Sequence, residues 1–269
     1  MDDFEYNNYK YRKFFNDLIV GCSFNILTKF DNNVHMNNGP ILFCGNHINS
    51  FDQFIVTSGT NIMIHWITDV DILNSKLGTA CKLMKCIPND ENVKESSSNY
   101  LNIGSSIGIF PESMANKLSK EKINELYSEL KSGMSYNDYE RLLRGENVKL
   151  SQINLLQKLF NDNKISELTY QKGLLSTELI LFECVEKGII TKEEFDDALL
   201  LPFNDNLIDI YRDSNVSIMP FAITEDYYNS GDIEINFGDL LKINDIKENT
   251  SNVLRGKVLE LVKKGEKRN

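Results

Sequence analysis

The chain has 269 residues, of which 29 are Lys or Arg and 39 are Asp or Glu, so its formal net charge is -10. With 41% hydrophobic residues, this length is sufficient for one large folded domain or two small ones, and it excludes a disordered chain. The acidic surplus argues against nucleic acid as a partner, because affinity for a phosphate backbone comes from clustered Lys and Arg. The five Cys include no Cys-x-x-Cys pair, and there are only three His. We therefore expect reduced thiols in a cytoplasmic protein and no structural metal.

The first predicted element is an amphipathic helix within residues 9 to 30. Its apolar stripe repeats at every third or fourth position through Tyr11, Phe15, Leu18, Cys22 and Ile26. Two interpretations stay open: an ordinary helix packed on the core, or an anchor that places basic and aromatic groups at the level of lipid headgroups. The acidic start of the chain does not fit a secretory signal, and no apolar run is long enough to span a bilayer. We therefore expect a protein that stays in the cytoplasm.

A short buried strand, Ile-Leu-Phe-Cys-Gly at residues 41–45, precedes the segment Asn-His-Ile-Asn-Ser-Phe-Asp-Gln. Ser50 and Gln53 have the spacing of a capping box, which predicts a helix that starts at Ser50. His47 then lies in a loop between a strand and a helix amino terminus, where α/β folds hold ligands. By itself the pair His47 and Asp52 says little, because acidic residues are frequent in this chain.

Further strands are predicted where short apolar runs meet a proline or alternate with polar residues. They are Ile-Gly-Ile-Phe followed by Pro-Glu at residues 107–112, Val-Ser-Ile-Met-Pro-Phe-Ala-Ile-Thr at 216–224, and Asp-Ile-Glu-Ile-Asn-Phe-Gly at 232–238. Strands interspersed with helical segments predict an α/β domain.

Residues 118 to 198 differ, because they are polar, free of Pro and without strand signals. A unit recurs in this block: Ser or Thr after an apolar residue, then Tyr or Phe four places later, then Leu after four more. Ser135, Ser166 and Thr191 are the predicted N-caps of these units, and Thr191 with Glu194 completes a capping box. The block is predicted to be an all-helical insertion of short hairpins.

In this order, the Asn-His-x-x-x-x-Asp motif, the Phe-Pro-Glu motif and the aliphatic strand with Pro resemble the glycerolipid acyltransferase family, which makes phosphatidate from lysophosphatidate. The resemblance covers the chain outside the helical block, so residues 1–117 and 199–269 would form one discontinuous acyltransferase domain around the insertion 118–198. It implies an α/β fold with a central mixed sheet flanked by helices. It also implies an O-acyltransferase of phospholipid biosynthesis, peripherally associated with the cytoplasmic membrane surface.

The resemblance also implies roles for individual residues. His47 would be the general base that removes the proton from the acceptor hydroxyl of a lysolipid, and Asp52 would bind the other ring nitrogen and stabilise the imidazolium. The acyl donor would be acyl-CoA or acyl-carrier protein, with no further cofactor and no metal. Its thiolate leaving group has a pKa of about 8.5 and needs no general acid. The substrate-binding residues implied by the family are Phe110, Pro111, Glu112, Ser113 and Lys117.

Two segments depart from the family pattern. The second motif commonly continues Gly-Thr-Arg after Phe-Pro-Glu, whereas this chain has Ser113, Met114 and Ala115. A second family Arg is replaced by Glu91. Both arginines are expected to hold the acceptor phosphate, and a lysine is a weaker substitute for a bidentate Arg. The candidate substitutes are Lys85, Lys94 and Lys117.

Alternatives therefore remain for acceptor and function. For the acceptor site, three possibilities stay open: lysines hold the phosphate, the enzyme uses a different acceptor, or its activity is reduced. One rival is a catalytically impaired, membrane-associated binding protein of the same fold. The other is a thioesterase-like hydrolase, in which His47 activates water or Cys44 is the nucleophile. The insertion is a lid, a docking surface for a carrier protein or a neutral addition, and the basic segment from Arg255 onward is a solvated helix or a contact for anionic lipid.

Overall fold

The computed structural model describes residues 3–30, 39–112, 118–130, 149–214, 216–224, 232–246 and 249–266. These residues form two compact units. Within the described part of the chain, the first unit contains the residues up to Glu112 together with those from Pro202 onward. The second unit contains residues 118–130 and 149–201.

The first unit is built on an eight-stranded sheet with the order β1-β7-β6-β2-β5-β3-β4, and β8 pairs with β6. The neighbours from β6 to β4 run parallel, β7 is antiparallel to β6, and β1 is parallel to β7. The predicted central mixed sheet is therefore confirmed. The strands are β1 (Asn25–Phe30), β2 (Ile41–Gly45), β3 (Ile64–Thr68), β4 (Ile87–Pro88), β5 (Ser106–Ile109), β6 (Ser217–Thr224), β7 (Asp232–Phe237) and β8 (Leu241–Lys242).

Helices flank this sheet and make up the second unit. In chain order they are α1 (Asp3–Gly21), α2 (Asp52–Ser58), α3 (Val70–Leu73), α4 (Gly78–Leu83), α5 (Val93–Asn102), α6 (Lys120–Leu130), α7 (Leu150–Asn161), α8 (Glu167–Leu175), α9 (Thr177–Glu186), α10 (Lys192–Asp197), α11 (Asp205–Asp209) and α12 (Thr250–Glu266), with a 3-10 turn at Ile243–Asp245. Of these, α6 to α10 belong to the second unit. None of the helices described is both long and apolar enough to cross a membrane.

The inner strands β2 and β3 are completely buried. All five residues of β2 and all five of β3 are buried, as expected for strands covered on both faces of a sheet. Helix α12 packs on β6 and β7 and buries Leu254, Val258 and Leu261. The basic carboxyl-terminal segment therefore begins as a helix that is fixed to the sheet by its apolar side.

The predicted helix at residues 9 to 30 is correct only in its first part. Helix α1 ends at Gly21, and residues Asn25–Phe30 form β1. Each residue of β1 pairs with one of β7, from Asn25 with Asp232 to Phe30 with Phe237. The hydrogen bonds with a distant strand override the local helical period, so Cys22 and Ile26 do not extend the helical stripe.

The apolar stripe of α1 points outward. Five large apolar side chains at helical spacing are exposed: Tyr11, Phe14, Phe15, Leu18 and Ile19. The opposite side of the helix, with Asn16 and Val20, is buried. Asn16 Nδ2 donates to Phe54 O at 2.9 Å, and Lys13 Nζ bonds Asp17 at 2.6 Å. Helix α1 thus contacts α2 through a largely polar face and presents its apolar face to the surroundings.

The second unit has its own hydrophobic core, drawn from α6 to α9 and from the segments that follow α7 and α9. The core includes Ile123, Leu126, Ile153, Leu156, Leu174, Leu181 and Ile190. Two predicted N-caps are confirmed, because Ser166 accepts from Thr169 N and Thr191 forms a capping box with Glu194. The predicted cap at Ser135 lies outside the described residues.

Candidate active site

The loop between β2 and α2 starts from a fixed point, the side chain of Asn46. Its Nδ2 donates to Ile223 O at 3.0 Å, and its Oδ1 accepts from Ile223 N at 2.8 Å. A side-chain amide thereby continues the pairing between β2 and β6 beyond the last partners, Gly45 and Phe221. The next residue, His47, leaves the sheet from an anchored position.

Asp52 closes the loop that carries His47. Its Oδ2 accepts hydrogen bonds from Ile48 N at 2.6 Å and Asn49 N at 2.8 Å, and it lies 3.0 Å from His47 Nδ1. The carboxyl group is fully buried. Because Oδ2 acts as the acceptor for both amides, we assign the ring proton to Nδ1, which leaves the lone pair of Nε2 available as a base.

The predicted start of α2 is wrong by two residues. The helix begins at Asp52, and the residue before it, Phe51, makes no side-chain cap. The amide groups of the loop are satisfied by the Asp52 carboxylate instead of by Ser50. An anionic oxygen is the stronger acceptor, which explains why the loop folds onto Asp52.

An aromatic stack supports the imidazole from one side. The ring of His47 stacks on Phe110 with centroids 4.5 Å apart, and Phe110 stacks on Trp66 at 4.6 Å. Phe221 makes T-shaped contacts with both Phe110 and Trp66. Trp66 is itself held by a hydrogen bond of 2.9 Å from Nε1 to Thr57 Oγ1.

Two strand glycines make room for this stack. A Cβ atom at Gly45 would lie 2.4 Å from the ring of Phe221, and one at Gly108 would lie 2.4 Å from the ring of Trp66. Glycine within a strand is a sequence signal for such a close approach. That signal was available at Gly108, but it does not reveal which ring fills the space, so Trp66 and Thr57 were not predicted.

The Phe-Pro-Glu segment also lies against the loop of His47. Glu112 is only 4% exposed, and its Oε2 accepts from His47 N at 2.5 Å. Pro111 O accepts from Asn204 N at 2.7 Å, which ties the segment to the part of the first unit that begins at Pro202. Contacts therefore join His47, Asp52, Phe110 and Glu112 in one site, whereas Ser113, Ala115 and Lys117 lie outside the described residues.

The lysines considered as phosphate ligands are placed differently. Lys94 is exposed and bonds Asp213 at 3.4 Å. Lys85 is half-buried and its carbonyl oxygen lies 3.2 Å from His65 Nδ1. Glu91, at the position of a family arginine, is exposed after β4. None of these contacts joins Lys85 or Lys94 to the site of His47.

The alternative nucleophile Cys44 and a second described histidine, His65, have unsuitable environments for catalysis. Cys44 is fully buried in β2, and burial, with a smaller contribution from Glu112, raises the pKa of its thiol. A nucleophilic cysteine needs the opposite shift. His65 is buried in β3, and burial lowers the pKa of its imidazole to about 4. Among the described residues, no group of three or more His, Cys, Asp or Glu could hold a metal ion.

The sequence matches no protein-family model, and it matches no curated protein sequence. Among solved structures, it is similar to the crystal structure of the 1-acyl-sn-glycerophosphate (LPA) acyltransferase PlsC from Thermotoga maritima, with a TM-score of 0.54 and 11% identity. The two share a fold. The similarity covers 100% of this chain and 83% of that chain, and it confirms the predicted α/β class with a mixed central sheet flanked by helices. At this identity it shows the fold alone.

Proposed function

We propose that this protein is an O-acyltransferase of phospholipid biosynthesis. It transfers a fatty acyl group from an acyl thioester to the free hydroxyl of a lysophosphatidate-like lysolipid. The observation that carries this proposal is the pair His47 Nδ1 and Asp52 Oδ2, 3.0 Å apart after a buried parallel strand. The fold shared with an LPA acyltransferase supports it.

In this mechanism His47 Nε2 takes the proton of the acceptor hydroxyl as its oxygen attacks the thioester carbonyl carbon. Asp52 stabilises the imidazolium that forms. The carbon–sulfur bond then breaks, the thiolate leaves without a general acid, and His47 returns the proton to the thiolate or to solvent. The donor is acyl-CoA or acyl-carrier protein, and the chemistry uses no resident cofactor.

The remaining residues of the site hold the base and the substrates. Phe110 covers one face of the His47 ring, and Glu112 fixes the backbone of His47. We propose that the Phe-Pro-Glu segment, with Ser113 and Lys117, contributes to the acceptor-binding side. The contact of Glu112 with the backbone of His47 favours a positioning role for this carboxylate.

The first experiment supplies purified protein with a radiolabelled acyl thioester and a panel of lysolipids. We expect an acylated lipid product that is lost in His47→Ala and in Asp52→Ala. Ser50→Ala is the matched control, because Ser50 lies in the same loop and does not cap α2. Unchanged turnover in His47→Ala would refute the base assignment. Free fatty acid without acylated lipid would favour the hydrolase, and complete inactivity with membrane binding retained would favour the binding protein.

We further propose that the protein acts at the cytoplasmic face of a membrane, with α1 on the lipid surface. The exposed apolar face of this helix lies beside the exposed Lys10, an arrangement that suits anionic headgroups above an apolar layer. This placement would bring the site to its lipid acceptor.

A vesicle assay tests this membrane contact. The protein should cosediment with vesicles that contain phosphatidylglycerol, and the double variant Phe14→Ser, Leu18→Ser should lose that binding. The matched control is Leu168→Ser, Leu179→Ser, which removes two exposed apolar side chains from the second unit. Equal binding of the two double variants would contradict the proposed role of α1.

A further inference from the structure

Two cysteines meet where α4 ends. Lys85 has a left-handed backbone, with φ of 51°, and it directs the chain back along the helix. Cys86 N donates to Cys81 O at 2.9 Å, and Lys85 N donates to Lys82 O at 3.1 Å. This pair of bonds is the Schellman motif, in which the side chains six residues apart, counted inclusively, come into contact.

The backbone bond limits the distance between the two cysteines. The covalent bonds and the hydrogen bond that connect their Cα atoms allow a separation of at most about 7 Å, within the reach of a disulfide once bond angles are included. In most such motifs the contact is between two apolar side chains. Here it is between two thiols.

The sulfur atoms belong to a buried polar cluster. Cys81 Sγ accepts from Gln53 Nε2 at 3.2 Å, and Gln53 Oε1 accepts from Thr68 Oγ1 at 2.9 Å. A hydrogen bond from Cys86, helped by a weaker one from Gln53 and opposed by burial, lowers the pKa of Cys81 to about 7. The same bond raises the pKa of Cys86, as does its burial. The pair therefore loses one of its two protons near neutral pH and shares the other through this hydrogen bond.

Access and reactivity are divided between the two thiols. Cys81 is fully buried, whereas Cys86 is half-buried and is the sulfur that a small oxidant can reach. When the shared proton lies on Cys81, the thiolate charge is on Cys86, which reacts with the oxidant, and the neighbouring Cys81 then traps the oxidised sulfur as a disulfide.

We propose that Cys81 and Cys86 form a reversible intramolecular disulfide, with a peroxide-class oxidant as the co-reactant. Both sulfur–hydrogen bonds break and one sulfur–sulfur bond forms. The two electrons and two protons reduce one peroxide to two molecules of water. A thiol reductant reverses the step.

The disulfide would also act on the site described above. Gln53 is the neighbour of Asp52 in α2, and it loses a thiol partner when Cys81 is oxidised. We expect slower acyl transfer in the oxidised protein. This second consequence rests on the proposed function, whereas the disulfide itself does not.

The test oxidises the full-length reduced protein with hydrogen peroxide, blocks remaining thiols with iodoacetamide and maps tryptic peptides. Trypsin cleaves after Lys82 and Lys85, so a disulfide links peptides 77–82 and 86–94. We expect this linked pair in the native protein, its loss after dithiothreitol, and its absence in Cys86→Ser. Cys22→Ser and Cys184→Ser are matched controls that should retain it.

The pH dependence separates this pair from ordinary thiols. Formation of the linked peptides should reach half its maximal rate near pH 7, the pKa of Cys81, and not near the value of about 8.5 of a free thiol. Alkylation of both cysteines after oxidation of the wild-type protein would overturn the proposal, whatever the variants do. A mapped disulfide in a protein that acylates no lysolipid would leave the disulfide standing and refute only the proposed function.

Discussion

The loop after β2 and the strand β3 each hold a histidine, and the two are alike in two respects. The ring of His47 stacks on Phe110 at 4.5 Å, and that of His65 stacks on Tyr100 at 4.1 Å. Each ring also makes a contact through Nδ1. The partner of His47 is the carboxyl group of Asp52, whereas that of His65 is the carbonyl oxygen of Lys85.

The partner and the burial distinguish the two chemically. A carboxylate stabilises an imidazolium as a full opposite charge, whereas a carbonyl supplies only a dipole. His65 is also buried, and burial, with the charges of Lys85 and Arg12 opposing protonation, lowers its pKa to about 4. An aromatic stack with a hydrogen bond therefore does not make a base, and of these two histidines only His47 has the partner that a base requires.

The largest expected effect comes from removing the negative charge of Asp52, the partner of His47. Asp52→Asn keeps the size of the side chain but no longer stabilises the imidazolium, so kcat for acyl transfer should fall by roughly 10³ to 10⁴-fold. His65→Gln, measured in the same assay, should leave kcat within about threefold of the wild type, since Gln can still donate to the Lys85 carbonyl. An equal fall in kcat in Asp52→Asn and His65→Gln would mean that the Asp52 carboxylate is not what distinguishes His47 as the base.

The second effect concerns stability and falls on His65. Its pKa is about 4 in the folded protein, against 6.5 as the ordinary value, so the unfolded chain binds more protons between these limits. The stability that comes from keeping His65 neutral is therefore fully present above pH 6.5 and is lost progressively as the pH falls to 4. This loss should lower the free energy of unfolding by about 2 kcal/mol at pH 5 relative to pH 7.5.

Urea denaturation of the wild type and of His65→Phe measures this loss. Phe retains a ring against Tyr100 and does not titrate, so the difference between the two proteins should shrink or reverse as the pH falls. Carboxylates titrate in the same range, but they are common to both proteins and cancel in the comparison. A difference that is constant between pH 7.5 and 5 would show that His65 does not contribute to the acid sensitivity.

Sequence patterns predicted four of the eight strands of the sheet, namely β2, β5, β6 and β7, and brought His47 and Asp52 into one loop, because both follow from local signals. They failed where a distant partner decides. Residues 25 to 30 satisfy a helical period, yet their pairing with β7 makes them a strand. Ser50 has a capping spacing, yet the Asp52 carboxylate takes the loop amides. Trp66 comes to the site through its place in the sheet, which no local pattern around it indicates.

The smallest expected effect tests what the ring of Phe110, stacked on His47, contributes to catalysis. Phe110→Leu removes the flat surface that orients the imidazole and leaves Asp52 in place, so kcat should fall by about tenfold, since small misplacements of a reacting group are costly. Phe160→Leu is the matched control, because Phe160 stacks on Tyr170 at 4.6 Å within the second unit. It should leave acyl transfer unchanged. The division between kcat and KM decides the role of Phe110: a positioning residue lowers kcat, whereas a substrate-binding residue raises the KM of the lysolipid at constant kcat.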